Sequence, residues 1–241
     1  MKREDILQVS AMPVGRPSYD LPPFTIAEWA ALTVQYESDP DAIRAALPEP
    51  LEPVGATVSV SIVEAAESPF GAYRACTISL PARFEGRDVN YSHVNFTDQD
   101  ELIYASREIW DLPAANGMAE LVLGENRVAG VLDLGFVGTL RMSIPIAEPE
   151  ESGPPSPVTE QISCKLIPGT GGPPAVAQLI SLTATDVSVK QSWSGPAQLD
   201  VDPGGPLDSL PVNNVLTGQY VLGDMTLPYG RVVHDYLTTA P

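Results

Sequence analysis

Runs in which apolar and polar side chains alternate with a period of two, cut apart by proline and glycine, constrain this chain more than any other feature. Thr57–Glu64, Tyr73–Leu80, Asn90–Phe96, Leu102–Ser106, Leu121–Leu123, Arg127–Phe136, Thr139–Ile146, Ile162–Ile167, Val176–Ser194 and Tyr220–Leu227 carry this pattern and predict strands. Proline removes a backbone donor and glycine loses the most freedom on ordering, so 25 prolines and 19 glycines leave little room for long helices. One short helix is expected all the same. In Asp39-Pro40-Asp41-Ala42-Ile43-Arg44-Ala45-Ala46-Leu47, Asp39 is the N-cap, Pro40 occupies the first turn and Asp41 meets the positive end of the dipole. Pro48-Glu49-Pro50 then ends the run. Residues 1–23 are proline-rich and predict an extended arm lying across the body of the fold. Gly169–Pro174 and Asp202–Pro206 read as turns, and Glu148–Thr159 as a loop, either an open tip or a flap over a site. No repeat or domain boundary interrupts 1–241, which gives a single domain of mainly β (α+β) class with a few short helices.

The chain carries 31 acidic against 13 basic side chains, a formal charge of −18. Such a surface repels phosphate backbones and anionic headgroups, so neither nucleic acid nor a membrane is the expected partner, and the acids read as a solvated shell. At 44% hydrophobic residues there is still material for a sizeable core. Cys76 and Cys164 lie inside apolar runs. Two cysteines do not make a disulfide framework, and reduced thiols in a cytoplasmic protein are the expectation. No apolar segment follows the basic residues near Met1, and none reaches the length of a membrane span.

The stretch Ser106-Arg107-Glu108-Ile109-Trp110-Asp111-Leu112-Pro113-Ala114-Ala115-Asn116-Gly117 resembles the signature of the acetoacetate decarboxylase family. There a Gly-Arg-Glu-like triplet leads, through a Tyr-Pro step, to two adjacent lysines and a glycine. The first lysine forms a Schiff base with a keto acid and the second lowers its pKa, an effect for which acetoacetate decarboxylase is itself the established example. Here the Arg-Glu, the proline and the glycine stand in place, but the lysines read Ala114-Ala115, and a methyl group forms no iminium. The segment Tyr36–Glu52, the run Val189–Pro196 and the terminal Asp235-Tyr236-Leu237 are also similar to family landmarks. The resemblance implies an antiparallel barrel or cone with an internal cavity, and a homo-oligomer. It further implies an arginine in the N-terminal arm and two glutamates on the strands beyond Pro48-Glu49-Pro50-Leu51-Glu52. Matched by their flanks, these fall at Leu21, Val60 and Ala75, so all the charged roles are vacated together.

Alternation names the side chains that would replace them. If Val60 faces the cavity, so do Val58, Ile62 and Glu64; if Ala75 does, so do Tyr73, Thr77 and Ser79. Glu64 on an apolar face is a candidate general acid or base, unless the strand has ended and the carboxylate sits in solvent. His93 and Asn95, two apart, are candidates to shuttle a proton and orient a substrate, against a structural histidine. The candidate catalytic set is therefore Glu64, His93 and Asn95. Tyr73, Arg107, Trp110, Ala114, Ala115, Asn116, Val60, Ala75 and Leu21 form the candidate substrate-binding set. Glu108 reads as a loop-fixing partner, and Trp193 as a further aromatic that either lines the site or packs the core. Lys165 and Lys190 are the only lysines beyond Lys2, so a relocated Schiff base would have to use one of them. His93 and His234 are far apart, and no nucleophile elbow, phosphate-cradling loop or dinucleotide fingerprint appears, so no metal or cofactor is expected. The expected activity is a cyclisation, dehydration, isomerisation or lyase step on a keto-acid or polyketide-like small molecule. Binding without turnover and decarboxylation through a displaced lysine are the alternatives.

Overall fold

The computed structural model describes residues 1–146 and 159–238; the 148–158 part of the expected loop lies outside the described residues. Helix α1 (Arg3–Ile6) precedes β1 (Phe24–Glu37), α2 (Pro40–Ala46), β2 (Glu52–Pro53), β3 (Thr57–Glu67), β4 (Tyr73–Phe84) and β5 (Arg87–Thr97). Next come α3 (Asp100–Ala105), a π-helical turn (Ser106–Trp110), β6 (Ala114–Asn116), β7 (Met118–Leu123), β8 (Arg127–Asp133) and β9 (Thr139–Pro145). The chain finishes with β10 (Gln161–Pro168), β11 (Pro174–Leu182), β12 (Thr185–Gly195), β13 (Gln198–Val201), β14 (Asn214–Leu227) and β15 (Arg231–Asp235).

An 11-stranded sheet runs β12-β14-β1-β3-β4-β5-β10-β11-β15, with β2 added on β4 and β6 on β5. A four-stranded sheet, β13-β9-β8-β7, covers one of its faces. The main core lies between them: Leu32, Val60, Ile62 and Ile78 from the large sheet pack in one cluster with Val128, Leu132, Leu140 and Ile144 from the small one. The approach is close enough that a methyl at Gly130 would stand 2.8 Å from Ile62 Cδ1. Asp39 caps α2 as expected, its Oδ1 accepting from Asp41 N at 2.7 Å and Ala42 N at 3.3 Å. Cys76 is buried, Cys164 half-buried, and both are free thiols.

Several elements differ from expectation: α1 lies inside the arm expected to be extended, Gly135–Val137 is a 3-10 turn at the end of the expected Arg127–Phe136 strand, and the expected Val176–Ser194 strand is the pair β11 and β12. Leu102–Ser106 is helical, not a strand, because Asp100 and Glu101 fill a helical first turn and Leu102 and Ala105, three apart, are the residues buried. β1 carries no clean alternation and was not predicted. Glu28 sits at φ 51° and the register with β14 shifts between Ile26 and Trp29, so a bulge scrambles the pattern. Among the described residues no helix is long and apolar enough to cross a membrane.

Candidate functional site

The large sheet has two unlike faces, and its register assigns each side chain to one of them, since residues paired across antiparallel strands point the same way. Val60 pairs with Val34 and Ile78, Ile62 with Leu32 and Cys76, and all are fully buried in the core between the sheets. The residues between them take the other face. There Thr33 pairs with Ser61, Ser61 with Thr77, Thr77 with Asn95, and Asn95 with Ala114. Adjacent strands thus line up a row of small polar side chains that ends on Ala114. Thr33 Oγ1 and Ser61 Oγ are 2.8 Å apart, and Asn95 Nδ2 donates to Thr77 Oγ1 over 2.9 Å. Thr33, Ser61 and Thr77 are half-buried. Asn95 is 8% exposed, and its Oδ1 has no hydrogen-bond partner among the described residues.

The signature segment is fastened to this row by its own backbone. Asn95 N donates to Pro113 O and Gly117 N to Thr97 O, both at 3.1 Å. Along β6 the faces alternate: Ala114 shares the side of Asn95, whereas Ala115 shares that of Phe96, which packs against the core. The Ala114 and Ala115 side chains therefore project in opposite directions. Ala114 is buried; Ala115 and Asn116 are exposed.

The same register corrects several expectations. Val60 cannot line a site together with Ala75, because Ala75 pairs with Val63 and the two-residue period places Val60 in the core. Ser61 is the β3 residue on the row of Ala114. Glu64 lies at the rim of the core face, opposite Ala30 and Arg74. Arg74 Nε donates to Glu64 Oε2 over 2.5 Å, so a guanidinium stands where apolar surroundings are expected, and the carboxylate is on the wrong face for the row. Pairing in β5 skips His93: Val94 meets Ile78 and Ser92 meets Ser79. His93 is a bulge residue, and the alternation that would set it beside Asn95 is interrupted. Its half-buried ring lies 6.3 Å from Tyr91, and burial holds its pKa below the ordinary histidine range.

Trp110 is packing, not a wall for substrate. At 1% exposure it centres a second apolar cluster with Tyr19, Phe24, Phe70, Leu102 and Leu182, edge-on to Phe24 at 5.4 Å, and its Nε1 donates to Pro228 O over 2.7 Å. Tyr73 packs on the edge of this cluster, and burial pushes its phenol well above the usual range. Leu21 is 48% exposed on the arm. Arg107 is exposed, with no ion pair among the described residues. Trp193 stacks on Tyr220 at 4.4 Å.

Lys165 on β10 reaches the signature from the opposite side. Its Nζ lies 2.7 Å from Asp111 Oδ1 and donates to Glu108 O over 2.8 Å, while Ser163 Oγ donates to Trp110 O. The Asp111 side chain is fully buried, and burial pushes its carboxyl up to about 6 although Lys165 pulls the other way. Tyr19 Oη donates to Glu108 Oε2 over 2.5 Å, tying the N-terminal arm to the same turn. Lys190 pairs instead with Asp224 at the surface. A cleft of about 290 Å³ opens between the arm and Phe70, walled in part by Tyr19, Asp20, Gln99 and Glu101; it includes none of Ala114, Asn95 or Thr77. Among the described residues no group of three His, Cys, Asp or Glu side chains is set to hold a metal ion.

Sequence reasoning passed over Thr33, Ser61 and Asp111. Ser59 and Ser61, like Thr77 and Ser79, stand two apart, and that spacing was the available signal for the polar face. Nothing local signals the pairing of Asp111 with a lysine 54 residues on.

Comparison with known proteins agrees with the resemblance. The family model for acetoacetate decarboxylase (ADC) matches residues 11–237. An acetoacetate decarboxylase of Chromobacterium violaceum is 31% identical over 244 residues, covering 98% of this chain and 99% of that protein. A solved structure of acetoacetate decarboxylase superposes with a TM-score of 0.90 at 26% identity, covering 99% of this chain and 100% of that one. The enduracididine biosynthesis enzyme MppR superposes at 0.81 over 94% of each chain, and at 20% identity that likeness concerns the fold alone.

Proposed function

Since the chain belongs to the acetoacetate decarboxylase family, we propose that it keeps the family's scaffold for small carbonyl compounds but works without a Schiff base, as a lyase, cyclase, dehydratase or isomerase. One observation carries the reading: Ala114, in the lysine's place, stands in register with Asn95 at the end of a row that holds hydroxyls and an amide but no amine. Such a row can hold an enolisable carbonyl group and stabilise partial negative charge developing on its oxygen by hydrogen bonding. His93, which the β5 bulge displaces from the register of Asn95 and whose pKa burial lowers, is the candidate base for the α-proton of a ligand on the row. Lys165 is engaged by the Asp111 carboxylate at 2.7 Å and by the Glu108 carbonyl at 2.8 Å, and is not a member of the row.

Borohydride reduction in the presence of acetoacetate, followed by intact mass measurement, tests the absence of a covalent step. No adduct is expected, and an adduct on Lys165 would overturn the proposal. Turnover is tested by NMR, following deuterium entry from D2O at the α-carbons of acetylacetone. Exchange above buffer that falls at least about tenfold in His93→Ala and Asn95→Ala is the expected result. No exchange with the unaltered protein would assign the chain to ligand binding without catalysis.

A further inference from the structure

We infer that the row Thr33–Ser61–Thr77–Asn95 is a subsite for a neutral, hydroxyl-bearing carbonyl compound and not for the carboxylate of a keto acid, with Asn95 as the specificity-determining residue. This rests on the reading that the site forms no Schiff base. Asn95 is buried to more than nine-tenths, and its one side-chain partner among the described residues is Thr77 Oγ1 at 2.9 Å. Whichever end of the amide faces Thr77, the other end is left unmatched in a buried place, where an unmet hydrogen bond is costly. A ligand hydroxyl completes either end, because it both donates and accepts. A carboxylate only accepts, and it brings a charge.

Nothing on the row answers that charge. Its members are two threonines, a serine and an amide, and Thr33 and Ser61 already share a hydrogen bond. Arg107 of the signature is exposed, and two other basic side chains near these strands are committed elsewhere. Arg74 is bonded to Glu64 on the other face, and Lys165 is held by Asp111 and the Glu108 carbonyl. Burying an anion with no partner is far more costly than burying a hydroxyl that is matched. The net charge of −18 opposes the anion over the longer range. The half-buried Thr33, Ser61 and Thr77 leave the row open to a ligand, and hydroxyls at intervals along an extended chain fit its series of donors and acceptors.

Matched probes isolate the charge. 4-Hydroxy-2-butanone and acetoacetate differ chiefly in a terminal CH2OH against COO⁻, as do hydroxyacetone and pyruvate. Titration of each by saturation-transfer NMR on the full chain is expected to give tighter binding of the hydroxy ketone in both pairs, by about fivefold or more, the worth of one hydrogen bond. Asn95→Ala is expected to erase the preference. Thr77→Val, which removes only the hydroxyl that holds the amide, should reduce it and serves where Asn95→Ala does not fold. Equal or tighter binding of the keto acids, or a preference that survives both substitutions, overturns the inference. Borohydride trapping in parallel separates the two ideas. An adduct refutes the Schiff-base-free reading, whereas no adduct with tight acetoacetate binding refutes only the neutral subsite.

Discussion

Asp111 stands in the left-handed region at φ 61°, ends the π-helical turn, and turns a fully buried carboxylate onto Lys165. Desolvation is the larger influence, so the folded protein holds this proton more tightly than the unfolded chain does. Its contribution to stability is therefore full below the ordinary aspartate range near pH 4 and is lost as pH rises through about 6. Urea denaturation of the unaltered protein and Asp111→Asn at pH 4.5 and 7.5 should show the former losing ground at the higher pH. The loss is up to about 3 kcal/mol, a ceiling because the Lys165 end touches solvent. A difference that grows in favour of the aspartate would mean that Lys165 holds it ionised. At this scale the sequence disclosed residue types but not their company. Glu64 on an apolar run invited a desolvated carboxylate, yet its environment is set by Arg74, ten residues away and directly across the ladder.

The turn Ser106–Trp110 joins the arm, the second apolar cluster and β10. Tyr19 binds Glu108 from one side, Ser163 and Lys165 take the Trp110 and Glu108 carbonyls from another, and the Trp110 ring fills the centre. Trp110→Ala should destabilise by about 3–5 kcal/mol through the cavity it leaves. Trp110→Phe, which keeps most of the packing and forfeits the bond to Pro228 O, should cost clearly less. Urea titrations decide this, and an alanine variant within 1 kcal/mol of the original would refute the anchoring role. The strands were legible wherever alternation is clean, as in β3, β4 and β9, and so was the capped helix α2. β1 was not, because a bulge at its start and alanines at 27, 30 and 31 blunt the contrast between its faces. The helix at 100–105 was misread because Ile103 and Tyr104 favour strands, while burial follows Leu102 and Ala105.

The two sheets meet without room to spare. A methyl at Gly218 on β14 would collide with Ile144 Cγ2 on β9 and crowd Ala197. Gly218→Ala should cost about 1–3 kcal/mol by overpacking, and distinctly less in an Ile144→Ala background, which opens the space. Additive costs in a double-mutant cycle would show that the contact is not the constraint. The face assignment of the large sheet was legible only as alternatives. Val60 and Ala75 cannot share a side, and a match by flanking motifs that slips one position moves a residue through the sheet. The parity of position along β3, β4 and β5 has a consequence for descent. One set of positions holds the sheets together and tolerates little; the interleaved set touches the row and bears almost none of the core. Chemistry on such a sheet is rewritable at alternate letters: side chains on the row's face can be exchanged for others while the packing that folds the chain, on the opposite face, is left as it is.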